Sequence, residues 1–523
     1  MEDIEIKMED ISTAKKNIIS WYPFEKEKSL LEINSNSKQI TEELQKKVKN
    51  VISINTEEIE NVTETFDYIT IIGLENINNN LQKLFEKIKT ILKPNGKLLI
   101  AMNNKYSVKN LSTQNGINKI LKNENKEYKL DDVIKNLNDS GFNNNKIYYP
   151  LTDYKFTNVI FTDEHKISKN ELSRNIVYNS EESIKFFEEN DMIDKLIEDN
   201  IELKQFLNSF FIEAFNGDYV DNEIKLVTFS NMRKNKYKIK TIVKKDYVYK
   251  YPDSDESKEH IENVKKNIDI MLKSKLKTID SYDEEKIISK YVEYDTFDKV
   301  IIQTVKRDKN KALELIKKFK ENLLENLEEG QKNKNVFDKY SIKYDTEIID
   351  NMKFTKYGLW DLIFQNCFYI DENFYFYDQE WIEENVPIEF ILYRAIKYIP
   401  NIKEYISTDE LYGILDINEE KIKLFEELDN KIQEEKRNDK VWQMQKNGKS
   451  TEELRIQKLT DNHTINLLNI EIEKKKKDIE DKKKEIEELK RTCENAQNEV
   501  NIIYQSKSWK IAEKLINIRK IFK

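Results

Sequence analysis

Glycine is scarce in this chain: 9 in 523 residues, and none before Gly73. A loop that must bring its backbone against a ligand, or adopt left-handed angles, favours glycine. A glycine-lined nucleotide loop is therefore excluded from residues 1–72. The 2 cysteines, Cys367 and Cys493, exclude a disulfide framework and a cysteine-built zinc site. The 3 histidines, His165, His260 and His463, exclude a His-rich metal cluster. Proline is absent after Pro400, which leaves the C-terminal part free to be continuously helical. No uncharged apolar run reaches the roughly 18 residues of a membrane span. The acidic start Met1-Glu2-Asp3-Ile4-Glu5 lacks the charged-then-apolar pattern of a signal peptide. Together these absences predict a cytoplasmic, soluble protein.

What is present is charge and aromatic bulk. Lys plus Arg is 88 and Asp plus Glu is 97, a formal net charge of −9, which excludes the basic field of a general nucleic-acid coat. Charged residues make up 35% of the chain, mostly Lys and Glu, so long solvated helices are expected. The 27 Tyr and 24 Phe supply enough apolar mass for real cores and exclude wholesale disorder. The length allows about three folding units.

Residues 20–160 alternate short aliphatic runs with polar helical stretches. Strands are predicted at 29–33, 50–54, 66–72 and 96–101, with helices at 41–49 and 80–92 between them. That alternation predicts βαβ crossovers and a parallel sheet. Residues 166–220 read as a helical linker. Three antiparallel strands are then predicted at 223–229, 237–243 and 246–251. A helix with Ile261, Val264, Ile268 and Met271 on one face follows. Residues 310–440 read as mostly helical, interrupted by a strand-rich segment at 359–382.

The turn after the first strand reads Glu32-Ile33-Asn34-Ser35-Asn36-Ser37-Lys38. It resembles the acid-x-Gly-x-Gly-x-Gly motif of class I S-adenosylmethionine-dependent methyltransferases, with Asn34, Asn36 and Lys38 where the family has glycine. Trp21-Tyr22-Pro23-Phe24, Phe66-Asp67-Tyr68-Ile69, Leu92-Lys93-Pro94-Asn95-Gly96-Lys97-Leu98 and Tyr148-Tyr149-Pro150-Leu151-Thr152-Asp153-Tyr154 are similar to further segments of methyltransferases from cell-surface polysaccharide loci. The resemblance implies a Rossmann-like fold over 1–165 and a cofactor site at Glu32, Asn34, Asn36 and Asn55. Asn55 falls where the family has its ribose-binding acid. Only ten residues lie between Asn55 and Phe66, too few for a helix and a third strand. The domain therefore reads as a reduced, degenerate methyltransferase, and the side chains in its loop argue against retained S-adenosylmethionine binding.

A second pattern lies in Trp360-Asp361-Leu362-Ile363-Phe364-Gln365-Asn366, followed by Asp378 in Phe376-Tyr377-Asp378-Gln379-Glu380-Trp381. It resembles the catalytic loop and metal-binding Asp of the aminoglycoside phosphotransferase and protein kinase superfamily. The resemblance implies Asp361 as proton acceptor for a substrate hydroxyl, with Asn366 and Asp378 as Mg²⁺ ligands. It further implies Lys250 at the ATP phosphates, paired to Glu259 or Glu262 on the following helix. Tyr291-Val292-Glu293 is similar to the family's hinge. The phosphate lid would be Asn231–Lys236, with Arg233 among its cations in place of glycines.

Beyond 450 the pattern is a heptad. Ile465, Ile472, Ile479, Ile486, Cys493 and Val500 form an a-type stripe; Leu468, Lys475, Lys482, Leu489, Ala496 and Ile503 occupy d. This predicts a coiled coil of two or three chains over 451–505. Residues 506–523 form a basic tail with interleaved Trp509, Leu515, Ile516, Ile518, Ile521 and Phe522, able to lie on an anionic bilayer or to pack on the protein itself.

The expected architecture is α/β: a methyltransferase-like sheet (1–165), a helical linker (166–220), an α+β kinase-like domain (221–450), a coiled coil and a tail. This order resembles the bifunctional methyltransferase–kinase that caps O-antigen chains. The resemblance implies ATP-dependent phosphorylation of a surface glycan or its sugar precursor, peripheral at the inner face of the cell membrane. Glycosyltransferases are then expected partners. Two other readings are an active methyltransferase and a non-catalytic scaffold for glycosyltransferases.

Overall fold

The computed structural model describes residues 14–35, 37–77, 80–122, 126–165, 167, 186–399, 401–438 and 451–521. Asn36, most of 166–185, and Phe522 lie outside the described residues. The chain forms two compact bodies, residues 1–448 and 449–523.

The first body is organised by one sheet. Its N-terminal strands are β1 (Ser29–Ile33), β2 (Asn50–Ile54), β3 (Phe66–Ile72), β4 (Leu92–Asn103), β5 (Asn144–Thr152), β6 (Thr157–Phe161) and β7 (Ser209–Phe215). Four of these fall where the short aliphatic runs predicted them. Helix α1 (Lys38–Lys47) connects β1 to β2, and α2 (Leu81–Ile91) connects β3 to β4. Strands β2, β1, β3 and β4 are parallel neighbours, whereas β7 runs antiparallel between β4 and β5. Alternation along each strand fills both faces. Leu31, Ile33, Ile69 and Ile71 join one core with Leu84, Phe85 and Ile88 of α2. Leu30, Tyr68 and Leu99 join the other with Ile40 and Leu44 of α1.

The gap after β2 holds only a 3-10 turn, Thr56–Asn61, and β2 is the last strand of the sheet on that side. The chain re-enters the sheet beyond β1, so the third strand that the methyltransferase resemblance calls for is absent from the described sheet. Asn34 takes the left-handed backbone angle (φ 54°) that glycine would favour. Asparagine tolerates that region because its short side chain can bond locally.

Two expectations need correction. Residues 166–220 are not simply a helical linker. They include a helix, Glu189–Glu198, but end in β7, which is wholly buried in the middle of the sheet. Nor do residues 165 and 221 bound separate bodies. Strand β6 pairs with β8 (Ile224–Phe229), so the sheet continues through β9 (Ile239–Lys244) and β10 (Tyr247–Pro252). After β11 (Lys277–Thr278), the sheet is completed by β12 (Asp280–Tyr282) and β13 (Ile287–Lys290). It has 12 strands in the order β12-β13-β10-β9-β8-β6-β5-β7-β4-β3-β1-β2. A continuous hydrogen-bond ladder replaces the expected separation of the two domains by a helical linker.

Helix α3 (Lys258–Lys273) follows β10 and buries Ile261, Val264, Ile268 and Met271, the predicted face. A second lobe holds α4 (Phe297–Val305), α5 (Lys309–Asn326), α6 (Ile388–Lys397) and α7 (Glu419–Lys436). Phe297, Phe319, Phe364 and Phe374 pack edge-to-face in its core. Four short strands thread this lobe: β14 (Phe354–Leu359), β15 (Cys367–Ile370), β16 (Asn373–Phe376) and β17 (Ile382–Pro387). Strands β15 and β16 form a hairpin, and β14 pairs antiparallel with β17.

The second body is two helices, α8 (Thr451–Gln505) and α9 (Lys507–Ile521). Ser506 separates them. Its hydroxyl donates to the Ile503 carbonyl at 2.6 Å and accepts from Trp509 N at 3.2 Å, so it caps the second helix. Among the described residues no helix is long and apolar enough to cross a membrane.

Candidate active site

Asp361 lies just after β14, Asn366 ends the short turn before β15, and Asp378 follows β16. The β15–β16 hairpin folds back because its residues pair in register from Cys367↔Phe376 to Ile370↔Asn373. That return brings the three side chains together. They line one cavity of about 390 Å³, which also receives Arg233, Trp360, Glu380, Arg394 and Lys436.

Local bonds fix the loop. Asn366 Nδ2 donates to the Asp361 main-chain carbonyl at 3.2 Å, and Gln379 Nε2 donates to the same oxygen at 2.9 Å. The Asn366 nitrogen is thereby committed, and its Oδ1 is the atom left to meet a cation. Asp378 has a left-handed backbone (φ 61°), a costly conformation for a non-glycine residue. Its N–H donates to Asp280 Oδ2 at 2.8 Å, which holds that conformation.

The Asp361 carboxylate faces Arg394, whose Nη2 is 3.5 Å away. Arg394 is itself held by Asp429, by the Trp360 carbonyl at 2.9 Å and by the Trp360 ring beneath it. Burial pushes the Asp361 carboxyl up to about 6, against the opposing pull of Arg394. A carboxylate so placed is ionised at neutral pH yet basic enough to take a proton.

Lys250, at the buried centre of β10, donates to Asp378 and to Glu380 Oε1 at 3.1 Å. Glu380 also receives Arg233, and His260 Nε2 stands 3.6 Å from it. Burial raises the Glu380 carboxyl, but Arg233, Lys250 and His260 outweigh it and hold it well below the usual carboxylate range. Arg233 and Lys436 further flank the Trp381 ring, at 5.3 and 5.1 Å from its centroid.

The structure thus gathers Asp361, Asn366, Asp378, Lys250 and Arg233, and departs from expectation at three points. The acid partner of Lys250 is neither Glu259 nor Glu262. Both are exposed, and Glu262 pairs with Lys265 at 2.6 Å. Glu380, two residues after Asp378, takes that place because His260 is the group α3 buries there. Glu293 is exposed and does not line the cavity. The 231–236 turn is no free lid. Lys234 N donates to Lys436 O at 3.0 Å and Asn438 N to Met232 O at 2.8 Å, which stitches the turn to the end of α7. Glu380 stood inside the quoted motif and was legible as an acid two residues from Asp378. Arg394 and Asp429 sit on separate helices, and no spacing announces them.

The second set of expected site residues is differently placed. Strand order turns around β1, between β2 and β3, and in a parallel sheet such a crevice receives the ligand at the strands' carboxyl ends. Glu32 is there and buried, but its Oε2 accepts from Thr41 at 2.8 Å and Ser53 at 2.7 Å. Asn34 Oδ1 accepts from Thr56 N at 2.9 Å. Asn55 starts the 3-10 turn, its N–H donating to Glu58 at 2.7 Å. Each is therefore bonded to a neighbouring hydroxyl, backbone N–H or carboxylate. The resembling Tyr22 and Tyr148 are structural too, since both hydroxyls donate to buried Glu213 of β7, which Lys97 also reaches at 2.8 Å.

Among the described residues no group of three or more His, Cys, Asp or Glu side chains is placed to hold a metal ion. Asp378 and Asn366 together offer carboxylate and amide oxygens. That donor set suits Mg²⁺, which takes few protein ligands and completes its shell with water and phosphate oxygens.

No protein-family model and no curated protein matches the chain. The solved structures similar to it include S-adenosylmethionine-dependent methyltransferases. One, from Archaeoglobus fulgidus, is 17% identical with a TM-score of 0.26, over 38% of this chain and 92% of its own. A possible histamine N-methyltransferase from Thermotoga maritima is 12% identical with a TM-score of 0.23, over 41% of this chain and 95% of its own. The plantazolicin methyltransferase BpumL with bound SAH is 13% identical with a TM-score of 0.23, over 41% and 90%.

Proposed function

We propose that the chain is an ATP-dependent phosphotransferase whose reaction centre is the Asp361–Asn366–Asp378 cavity. The observation that carries this reading is the convergence of those three side chains on one cavity, with Lys250 bonded to Asp378. Mg-ATP, when bound, would supply the phosphoryl group and the neutralising charge. Asp361 takes the proton of the acceptor hydroxyl, and Arg394 orients its carboxylate. Asn366 Oδ1 and the Asp378 carboxylate are the metal-facing groups. Lys250 and Arg233 supply positive charge on the phosphate side, while Glu380 keeps both in place. The acceptor is a sugar hydroxyl of a surface glycan or its precursor, with glycosyltransferases as partners, self-association through 451–505 and peripheral membrane contact through the tail.

A second reading, methyl transfer at the β1–β3 crevice, draws on the strand order there. Glu32, Asn34 and Asn55 argue against it, because Glu32 already accepts from Thr41 and Ser53, Asn34 from the Thr56 N–H, and the Asn55 N–H is bonded to Glu58. A thermal shift assay of the full chain tests the first reading. Mg-ATP is expected to raise the melting temperature, and Asp378→Ala to abolish that rise. A wild-type chain indifferent to Mg-ATP would remove the proposal and leave a scaffold.

A further inference from the structure

Helix α8 of the second body carries its apolar side chains in the open. Ile465, Ile472, Ile479 and Ile486 are each about half exposed, as are Leu468, Leu489 and Ile503. At 55 residues the helix is about 82 Å long, and such a stripe on a lone helix faces water throughout. The heptad register fixes which charges flank it. Three consecutive g positions are Glu471, Asp478 and Glu485; the e positions five residues on are Lys476, Lys483 and Lys490.

In two parallel helices in register, each g side chain meets the e′ side chain five residues later on its neighbour. Every one of these three contacts then pairs an acid with a lysine, and the dyad repeats all three. In an antiparallel pair g meets g′ and e meets e′. Acid would face acid and lysine would face lysine over the same stretch. The charge pattern therefore separates the two orientations without any help from the core.

The core positions select the number of strands. Position a is Ile in four successive heptads and Val in the last, with Leu at d in two; β-branched a with leucine d favours two chains. The two lysines at d, Lys475 and Lys482, fit a two-stranded seam, where their stems cover the interface and their ammonium groups reach water. On the lone helix Lys475 bonds Glu471 at 3.0 Å and Lys476 bonds Glu473 at 2.8 Å, so Glu471 and Lys476 exchange these intrahelical partners when the seam forms.

From this complementarity we infer that α8 is one strand of a parallel, in-register homodimer, its partner a second copy of this chain. Both copies then leave the coil at the same end. Cys493 occupies an a layer and faces its own counterpart across the seam. An antiparallel pair overlapping the whole Ile465–Ile503 stripe would instead put Cys493 opposite residue 475, leaving the two thiols roughly 27 Å apart.

Mild oxidation of the full-length chain is expected to link more than half of it into a covalent dimer. Cys493→Ser abolishes the link, since Cys367, the other cysteine, is buried in the first body. Light scattering is expected to give twice the 62.7 kDa chain mass. The triple variant E471K/D478K/E485K weakens self-association at least tenfold. Mixing it with K476E/K483E/K490E restores a heterodimer of wild-type affinity, which simple loss of helix would not do. A monomer, a threefold mass, no Cys493 cross-link, or a charge-reversed variant that still self-associates like the parent would each overturn the inference.

Discussion

The β1–β3 crevice and the cavity of the second lobe handle their polar groups in opposite ways. At the β1–β3 crevice, Glu32 is buried and accepts from Thr41 and Ser53 of adjacent elements. Beside the hairpin of the second lobe, Asp361, Asn366 and Asp378 instead line open volume, and charged residues surround them. A buried acid satisfied by hydroxyls is a structural device. Acids left lining a cavity among Lys250, Arg233 and Arg394 retain a cost that a ligand can repay. The contrast is one of placement: Glu32 is enclosed by neighbouring hydroxyls, whereas Asp361 and Asp378 are ion-paired yet face open volume.

Four changes sharpen or break that contrast, in falling order of effect. Asp361→Asn is expected to lower phosphoryl transfer by about 10²–10⁴-fold, the usual contribution of a positioned base, with Mg-ATP affinity nearly unchanged. Steady-state kinetics beside nucleotide titration would separate the two. Lys250→Met leaves Glu380 buried with one fewer counter-charge, so denaturant unfolding should show a loss of about 3 kcal/mol besides weakened nucleotide binding.

The pH profile comes next. Asp361 must be ionised to accept a proton, and its carboxyl sits near 6. Transfer is expected to fall about tenfold per pH unit below 6 and to level off above it. A flat profile between pH 5 and 7 would deny Asp361 that role. Glu32→Gln has the smallest effect. It should cost about 1 kcal/mol of stability through weakened hydrogen bonds and leave phosphoryl transfer untouched.

Much of the fold was legible because its strands are short, aliphatic and bounded by polar residues. Strands β1, β2 and β3 occupy the predicted residues, and the short Asn55–Phe66 gap announced the missing strand. Strand β7 was not legible. Ser209-Phe210-Phe211-Ile212-Glu213-Ala214-Phe215 is buried on both faces, so it lacks the alternation that separates strand from helix. Its single acid, Glu213, is buried and takes bonds from Tyr22 and Tyr148. The missed strand has a practical consequence. A fragment ending at residue 165 would lack the strand between β4 and β5, so cofactor tests belong on the whole chain.

At the candidate site, Asp361, Asn366 and Asp378 were readable from spacing because one hairpin connects them. The pairing of Lys250 was not. The family pattern points to an acid on α3, whereas here that helix turns His260 inward and the acid comes from Glu380. Arg394 and Asp429, on α6 and α7, meet only through tertiary packing.

The central proposal is that the nucleotide site lies in the second lobe and that the β1–β3 crevice does not bind S-adenosylmethionine. Calorimetric titration of the full-length protein with Mg-ATP and, separately, with S-adenosylmethionine addresses it most directly. Saturable Mg-ATP binding, lost in Asp378→Ala, with no heat from S-adenosylmethionine up to millimolar concentration, is the result this account predicts. Saturable S-adenosylmethionine binding alongside indifference to Mg-ATP would contradict it.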